Sequence, residues 1–308
     1  MDYLVNWLWQ GCIVGLATSA VLCLQGRARA SVRYGFCWIG VGTVLTLAIL
    51  PLWSFAAPSP LGVPEAPQPV SPMLTLPATW WTSATVALTL WALWSGAHVT
   101  RFGLALLALQ RAKGRCQPFP ASAESRLGHW RSVRERGRRT ELVLSDDVRS
   151  AAILGCGSPV IAIAPALLEH LDAEEIDRVV IHEWAHVQRR DDFLNLAQVA
   201  IRSLAGGHPA IWWLERQLQI EREAACDETA VALTGCARSY AASLAKTASL
   251  LPARRAMLSV VGALSSPALR TRIVRILSRR RRLSTPWSVG ATVIGAVWLL
   301  GLSIGVAG

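Results

Sequence analysis

Two histidines four residues apart, with a glutamate beside the first, are the residues best suited to chemistry in this chain: His182-Glu183-Trp184-Ala185-His186. In a helix, positions i and i+4 share a face, so both imidazoles can reach one metal ion. Glu183 can then reach a water on that metal and take its proton. The pattern is that of hydrolytic zinc chemistry, with two histidine ligands and a general base. Such a zinc needs a third protein ligand and an open position for water. A later stretch, Glu221-Arg222-Glu223-Ala224-Ala225-Cys226-Asp227, offers it. Glu223 and Asp227 stand four apart on one face, and Glu223 follows His182 by 223 − 182 = 41 residues. Glu223 is the candidate third ligand, and Asp227 is the candidate acceptor for the free N–H of a zinc histidine, His182 by preference. Glu221 is the weaker candidate, because Ala225 and not an acid stands four residues on. One Zn2+ per chain is expected. A developing oxyanion would need a further donor, for which His208, Tyr240 and Arg222 all remain open. An extended substrate would pair along a strand edge, and Val160–Ile163 is the strand nominated.

The elements that must position these residues are legible. Asp172 is an N-cap, and Glu175 three residues later completes a capping-box pattern. Ile176, Val179, Val180 and Val187 supply the apolar stripe of the helix that follows. Its charged neighbours, Glu174, Asp177, Arg178, Arg189, Arg190, Asp191 and Asp192, argue against a helix lying inside a bilayer. A helix over Phe193–Leu204 ends at Gly206-Gly207. Pro209 opens a long helix from about Ala210 to Leu233, closed by Gly235. Leu142–Leu144 and Val160–Ile163 read as strands, with turn signals between them. A short helix over Ala166–His170 follows Pro165. The arginine-dense stretch Arg126–Arg139 reads as a solvated or lipid-facing helix.

Only 17% of the 308 residues are charged and 52% are hydrophobic, whereas soluble domains run near a quarter charged. The deficit is local. Residues 3–24, 36–56, 80–100 and 287–306 are free of Asp, Glu, Lys and Arg, and each is about 20 residues, enough to cross a bilayer as helix. Tryptophans sit near their ends, as in an aromatic belt. The expected layout is three spans with short loops in 1–110, a zinc domain with a basic arm in 111–285, and a fourth span in 286–308. Arg27, Arg29 and Arg33, then Arg101, Arg111, Lys113 and Arg115, then Arg279 to Arg282, fall on one side, which the positive-inside rule makes cytoplasmic. Both termini are then outside and the zinc domain is cytoplasmic. The proline-rich second loop, 57–79, has no Lys or Arg. The net charge of +11 is accounted for by arginines beside anionic lipid, so direct nucleic-acid contact is not expected. The seven cysteines include no C-x-x-C pair, which argues against thiolate zinc sites and, in a reducing compartment, disulfides.

Glu-x-x-x-Asp after HExxH is the pattern of the gluzincin class, so the fold expected is an α-helical membrane protein with a cytoplasmic α+β zinc metallopeptidase domain. Ser158 to Pro165, His182 to His186, Arg189, Asp191, His208-Pro209, Trp212-Trp213 and Glu223 to Glu228 together resemble the BlaR/MecR family of membrane zinc metallopeptidases. The resemblance implies a bacterial inner-membrane signal transducer that cleaves a cytoplasmic protein, typically a repressor, and that can also cleave itself. In the β-lactam sensors of that family a penicillin-binding domain follows the fourth span. The sequence here stops at Gly308, so the expectation is a signal arriving through a separate sensor protein or through the loop 57–79. Other expected partners are membrane lipid and a second copy of the chain as a homodimer. Two other readings share parts of the pattern: a quality-control protease of the HtpX or CAAX-protease type, and a non-enzymatic scaffold with structural zinc. The basic arm, Leu258–Leu283, reads best as an interfacial helix on anionic lipid, with a regulatory or self-cleaved arm as the alternative.

Overall fold

A computed structural model describes residues 2–26, 28–56, 81–205, 207–250 and 266–278. The apolar segment 287–306, the loop 57–79 and half of the basic arm (258–265 and 279–283) lie outside the described residues. The chain divides into two compact units: Met1–Val99 with Ala200–Glu221, and Thr100–Val199 with Arg222–Arg280.

The first unit is built on apolar helices: α1 (Asp2–Leu24), α2 (Ala30–Ala56) and the first part of α3 (Trp81–Gly114). Tyr3–Leu24, Ala30–Leu50 and Thr85–Gly114 are long and apolar enough to cross a membrane. Helix α2 thus begins earlier than the uncharged segment 36–56 and takes in Arg33. Hydroxyls inside these helices satisfy themselves locally: Thr18 Oγ1 donates to Val14 C=O and Thr43 Oγ1 to Ile39 C=O, at 2.8 and 2.9 Å. This is the solution available where no water reaches. Leu88, Leu90, Leu93, Trp94 and Leu104 of α3 are exposed. Apolar surface this continuous is rare on a soluble monomer and suits a lipid surrounding.

The second unit holds a four-stranded sheet, in the order β1 (Gln117–Pro118), β2 (Glu141–Leu144), β4 (Val160–Ile163), β3 (Ala151–Leu154). Strands β2 and β4 are parallel; the other two pairs are antiparallel. Strand β3 (Ala-Ala-Ile-Leu) falls among turn signals and opens with two alanines, a residue depleted in strands, whereas β4 (Val-Ile-Ala-Ile) is rich in β-branched residues. Its presence corrects the nomination of Val160–Ile163. Strand β4 has β2 on one side and β3 on the other, so its backbone groups are spent within the sheet. Among the described residues the free edges belong to β3 and β1.

Helix α7 (Ala173–Gln188) packs on this sheet with Ile176, Val180, Trp184 and Val187, spaced i, i+4, i+8, i+11. Fully burying each of these stabilises the packing by about 1.5–3 kcal/mol. Its start is the anticipated capping box: Asp172 Oδ1 accepts from Glu175 N–H at 2.8 Å, and Glu175 Oε2 accepts from Asp172 N–H at 3.0 Å. The arginine-dense stretch is mostly not helix. Only α5 (Gly128–Val133) is helical there, and it drives Trp130 and Val133 into the core. Buried Asp177 of α7 accepts from the backbone N–H groups of His129 and Trp130 at 2.7 and 2.9 Å, which locks α5 to α7. Arg138 is a structural pin, pairing with Asp192 at 2.8 Å and lying over Phe193. Helices α8 (Asp191–Ala205) and α9 (Pro209–Thr234) follow; Gly235 at φ +76° ends α9, a conformation that a side chain disfavours.

Candidate metal centre

Helix α7 also carries His182, Glu183 and His186. The two imidazoles stand edge to face, 4.9 Å between centroids. Across from them α9 presents Glu223. Its Oε2 lies 3.6 Å from His182 Nε2, and its Oε1 lies 3.8 Å from His186 Nε2. One ligand atom from each of the three residues falls within 4.8 Å of the others. A tetrahedral ion with bonds of about 2.0–2.2 Å needs donors roughly 3.3–3.6 Å apart, so this set could close on one ion with small side-chain adjustments. Glu183 is half-buried on the same helix.

The rings are held by their other nitrogens, which leaves both Nε2 atoms turned to Glu223. His186 Nδ1 donates to Asp191 Oδ2 at 2.8 Å, and the Sγ of buried Cys226 stands 3.2 Å from the same nitrogen. A tight turn makes this possible. Arg190 adopts φ +57°, so the chain reverses between α7 and α8 and brings Asp191 back to the helix it has just left. His182 Nδ1 donates to Tyr240 Oη at 2.9 Å, and that hydroxyl donates onward to Asp227 Oδ1 at 2.7 Å. Asp227 is also 3.3 Å from His182 Nδ1 itself. The orienting acid therefore acts on His182 largely through Tyr240, which sits on α10 (Ala237–Ser249). Burial, then the Asp227 charge, raise the Tyr240 phenol well above its ordinary value, so it stays a donor.

A cation completes the cluster. Arg272, on α11 (Ser266–Leu277), contacts Asp227 through Nε at 2.9 Å and Nη2 at 2.6 Å, and Glu223 Oε2 through Nη1 at 3.1 Å. Burial disfavours the Glu223 carboxylate, but its contact with His182, the charge of His186 and Arg272 outweigh that and hold it well below the usual carboxylate range. Thus this part of the arm docks on the peptidase unit and is not simply laid on lipid.

The residues left open as oxyanion donors separate here. Tyr240 lies on the Nδ1 side of His182, engaged as described. Arg222 is beside the cluster, 3.9 Å from Glu223 and 3.3 Å from Asn195 Oδ1. His208 belongs to the other unit. Its Nδ1 accepts from Ala210 N–H at 3.1 Å, which assigns the proton to Nε2, and Nε2 donates to the Trp7 carbonyl at 3.2 Å. Asp191 and Arg272 were not singled out for a role at the metal in the sequence. Asp191 had a faint signal, an acid five residues past the second histidine; Arg272 had none beyond being one arginine among many.

A half-buried His-His-Glu cluster with oriented rings and an adjacent glutamate is the equipment of an HExxH metallopeptidase. Comparison with known families agrees: the family described as BlaR1 peptidase M56 matches residues 67–276. The chain belongs to that family and is a metallopeptidase whose apolar helices suit it to a membrane. No curated protein matches it.

Proposed function

We propose that the chain is a zinc endopeptidase of the cytoplasmic membrane that cuts a cytoplasmic protein, a transcriptional repressor, in response to a signal. The observation that carries the peptidase reading is the convergence of His182 Nε2, His186 Nε2 and Glu223 on one point beside Glu183, with each Nδ1 tied to its own acceptor. A bound zinc would supply Lewis acidity and a water of lowered pKa. His182, His186 and Glu223 hold it; Tyr240 with Asp227, and Asp191, keep the rings aimed. Glu183 takes the proton of the attacking water and returns it to the leaving amine. A substrate strand adds to β3, Ala151–Leu154, the sheet edge that packs near α7.

The layout of basic loops supports a cytoplasmic site, four spans including 287–306, and both termini outside. The repressor and the signalling role rest on the family resemblance. Glu183→Gln tests the chemistry: cleavage should fall by about 10²–10⁴-fold while zinc stays bound, and undiminished cleavage sinks the reading. The same variant used as a substrate trap tests the target. Recovery of one DNA-binding protein supports the signalling role, and recovery of many unfolded membrane proteins replaces it with quality control.

A further inference from the structure

Hydrolytic zinc chemistry does not by itself call for Arg272, yet its side chain is only 14% exposed and lies among the site's acids. A guanidinium has five N–H groups in a rigid planar fork. Nε–H and one Nη2–H donate to the two oxygens of Asp227, and Nη1 forms an ion pair with Glu223 Oε2 at 3.1 Å. Nη2 also stands 3.4 Å from His182 Nε2, the nitrogen that faces Glu223. One side chain therefore touches the third candidate ligand, the acid behind the first, and the metal side of the first. A cation this buried is costly unless paired, and here it is paired twice. The grip on both Asp227 oxygens sets the plane of that carboxylate, and through Tyr240 the tilt of His182. The contact with Oε2 is the shortest that Glu223, a carboxylate still 28% exposed, makes among these ion pairs, and it restrains the side chain.

We infer that Arg272 is a positioning residue of the peptidase site, holding Glu223 and Asp227 in the arrangement that binds the metal. Helix α11 is therefore part of the site and not a tether, and undocking it would loosen the ligand set. This rests on His182, His186 and Glu223 being that set.

The test uses the full-length chain in detergent micelles, stripped of metal and titrated with Co2+ against a chromophoric chelator. Arg272→Gln should shift the cobalt ligand-field bands and weaken Co2+ binding by roughly 10–100-fold, the usual cost of losing an outer partner of a ligand. Arg272→Lys keeps the charge but lacks the fork, and should recover only part of the loss. Arg270→Gln, an exposed arginine on the same helix, should match wild type. Wild-type bands in Arg272→Gln overturn the inference. So does binding as tight as wild type or tighter, the result expected if the guanidinium instead competed with the metal. An equal loss in Arg270→Gln overturns it as a general charge effect. If circular dichroism shows Arg272→Gln unfolded, Arg272→Lys carries the same readouts, and full wild-type behaviour there overturns the inference. Cobalt binding needs no substrate, so a negative result leaves the peptidase reading standing. A wild-type chain that binds no cobalt removes the ligand set itself.

Discussion

Glu221 and Glu223 stand two residues apart on α9 and could hardly be used more differently. Glu221, in the unit with the apolar helices, is 1% exposed and pairs with Arg33 of α2 at 2.8 Å. Glu223, in the other unit, is shared among His182, His186 and Arg272 at 3.1–3.8 Å. Glu221 belongs to no metal-ligating group among the described residues. Glu223 is divided between an arginine and the Nε2 sides of two histidines, and belongs to a group that could hold an ion. The histidines repeat the contrast. His208 uses both ring nitrogens to cap α9 and bond Trp7, and a Cβ at Gly11 would collide with its ring. His182 and His186 commit one nitrogen each.

Substitutions can break or sharpen this contrast. The largest effect is expected at Glu223→Ala, which should abolish zinc retention, read by metal analysis of the purified chain, while the fold persists. Zinc retained at wild-type stoichiometry would mean that Glu223 is no ligand. Glu221→Ala should do the opposite: the folded fraction keeps its metal, but stability falls by about 3–5 kcal/mol because Arg33 is left buried and unpaired. Replacing both partners by apolar residues, Arg33→Met with Glu221→Leu, should recover most of that loss in a thermal melt. Asp191→Asn should weaken zinc by roughly 10–100-fold through misoriented His186, measured by chelator competition. The smallest effect is expected at Asp147→Ala. Its partner Arg115 is 64% exposed, and the pair should contribute about 0–1 kcal/mol, at the edge of detection in the same melt.

The helices of the site were legible in the sequence because their signals are local. Asp172, Glu175 and the stripe from Ile176 to Val187 lie within one helix, and Pro209 and Gly235 mark the ends of the next. The preference for Glu223 over Glu221 was also legible, since Asp227 sits on the same face one turn on. The short sheet was half legible. Strands β2 and β4 are readable, while the two alanines that open β3 conceal it, and with it the identity of the edge. The arginine-dense segment was misleading, because a count of charges does not reveal that Trp130 is driven inward or that Arg138 is spent on Asp192.

By itself the sequence determined the shared face of His182 and His186 on α7, its cap, the acid pair on α9 and the apolar character of the helices around residues 3–24, 36–56 and 80–100. Each is a matter of spacing along one element, which the geometry of a helix converts directly into a shared face or a length. Only the tertiary structure decided what stands behind that face. Tyr240 reaches His182 across 58 residues of chain, and Arg272 reaches it across 90. No local periodicity marks such partners, because they are chosen by how whole helices pack and by which buried charge must find an opposite one.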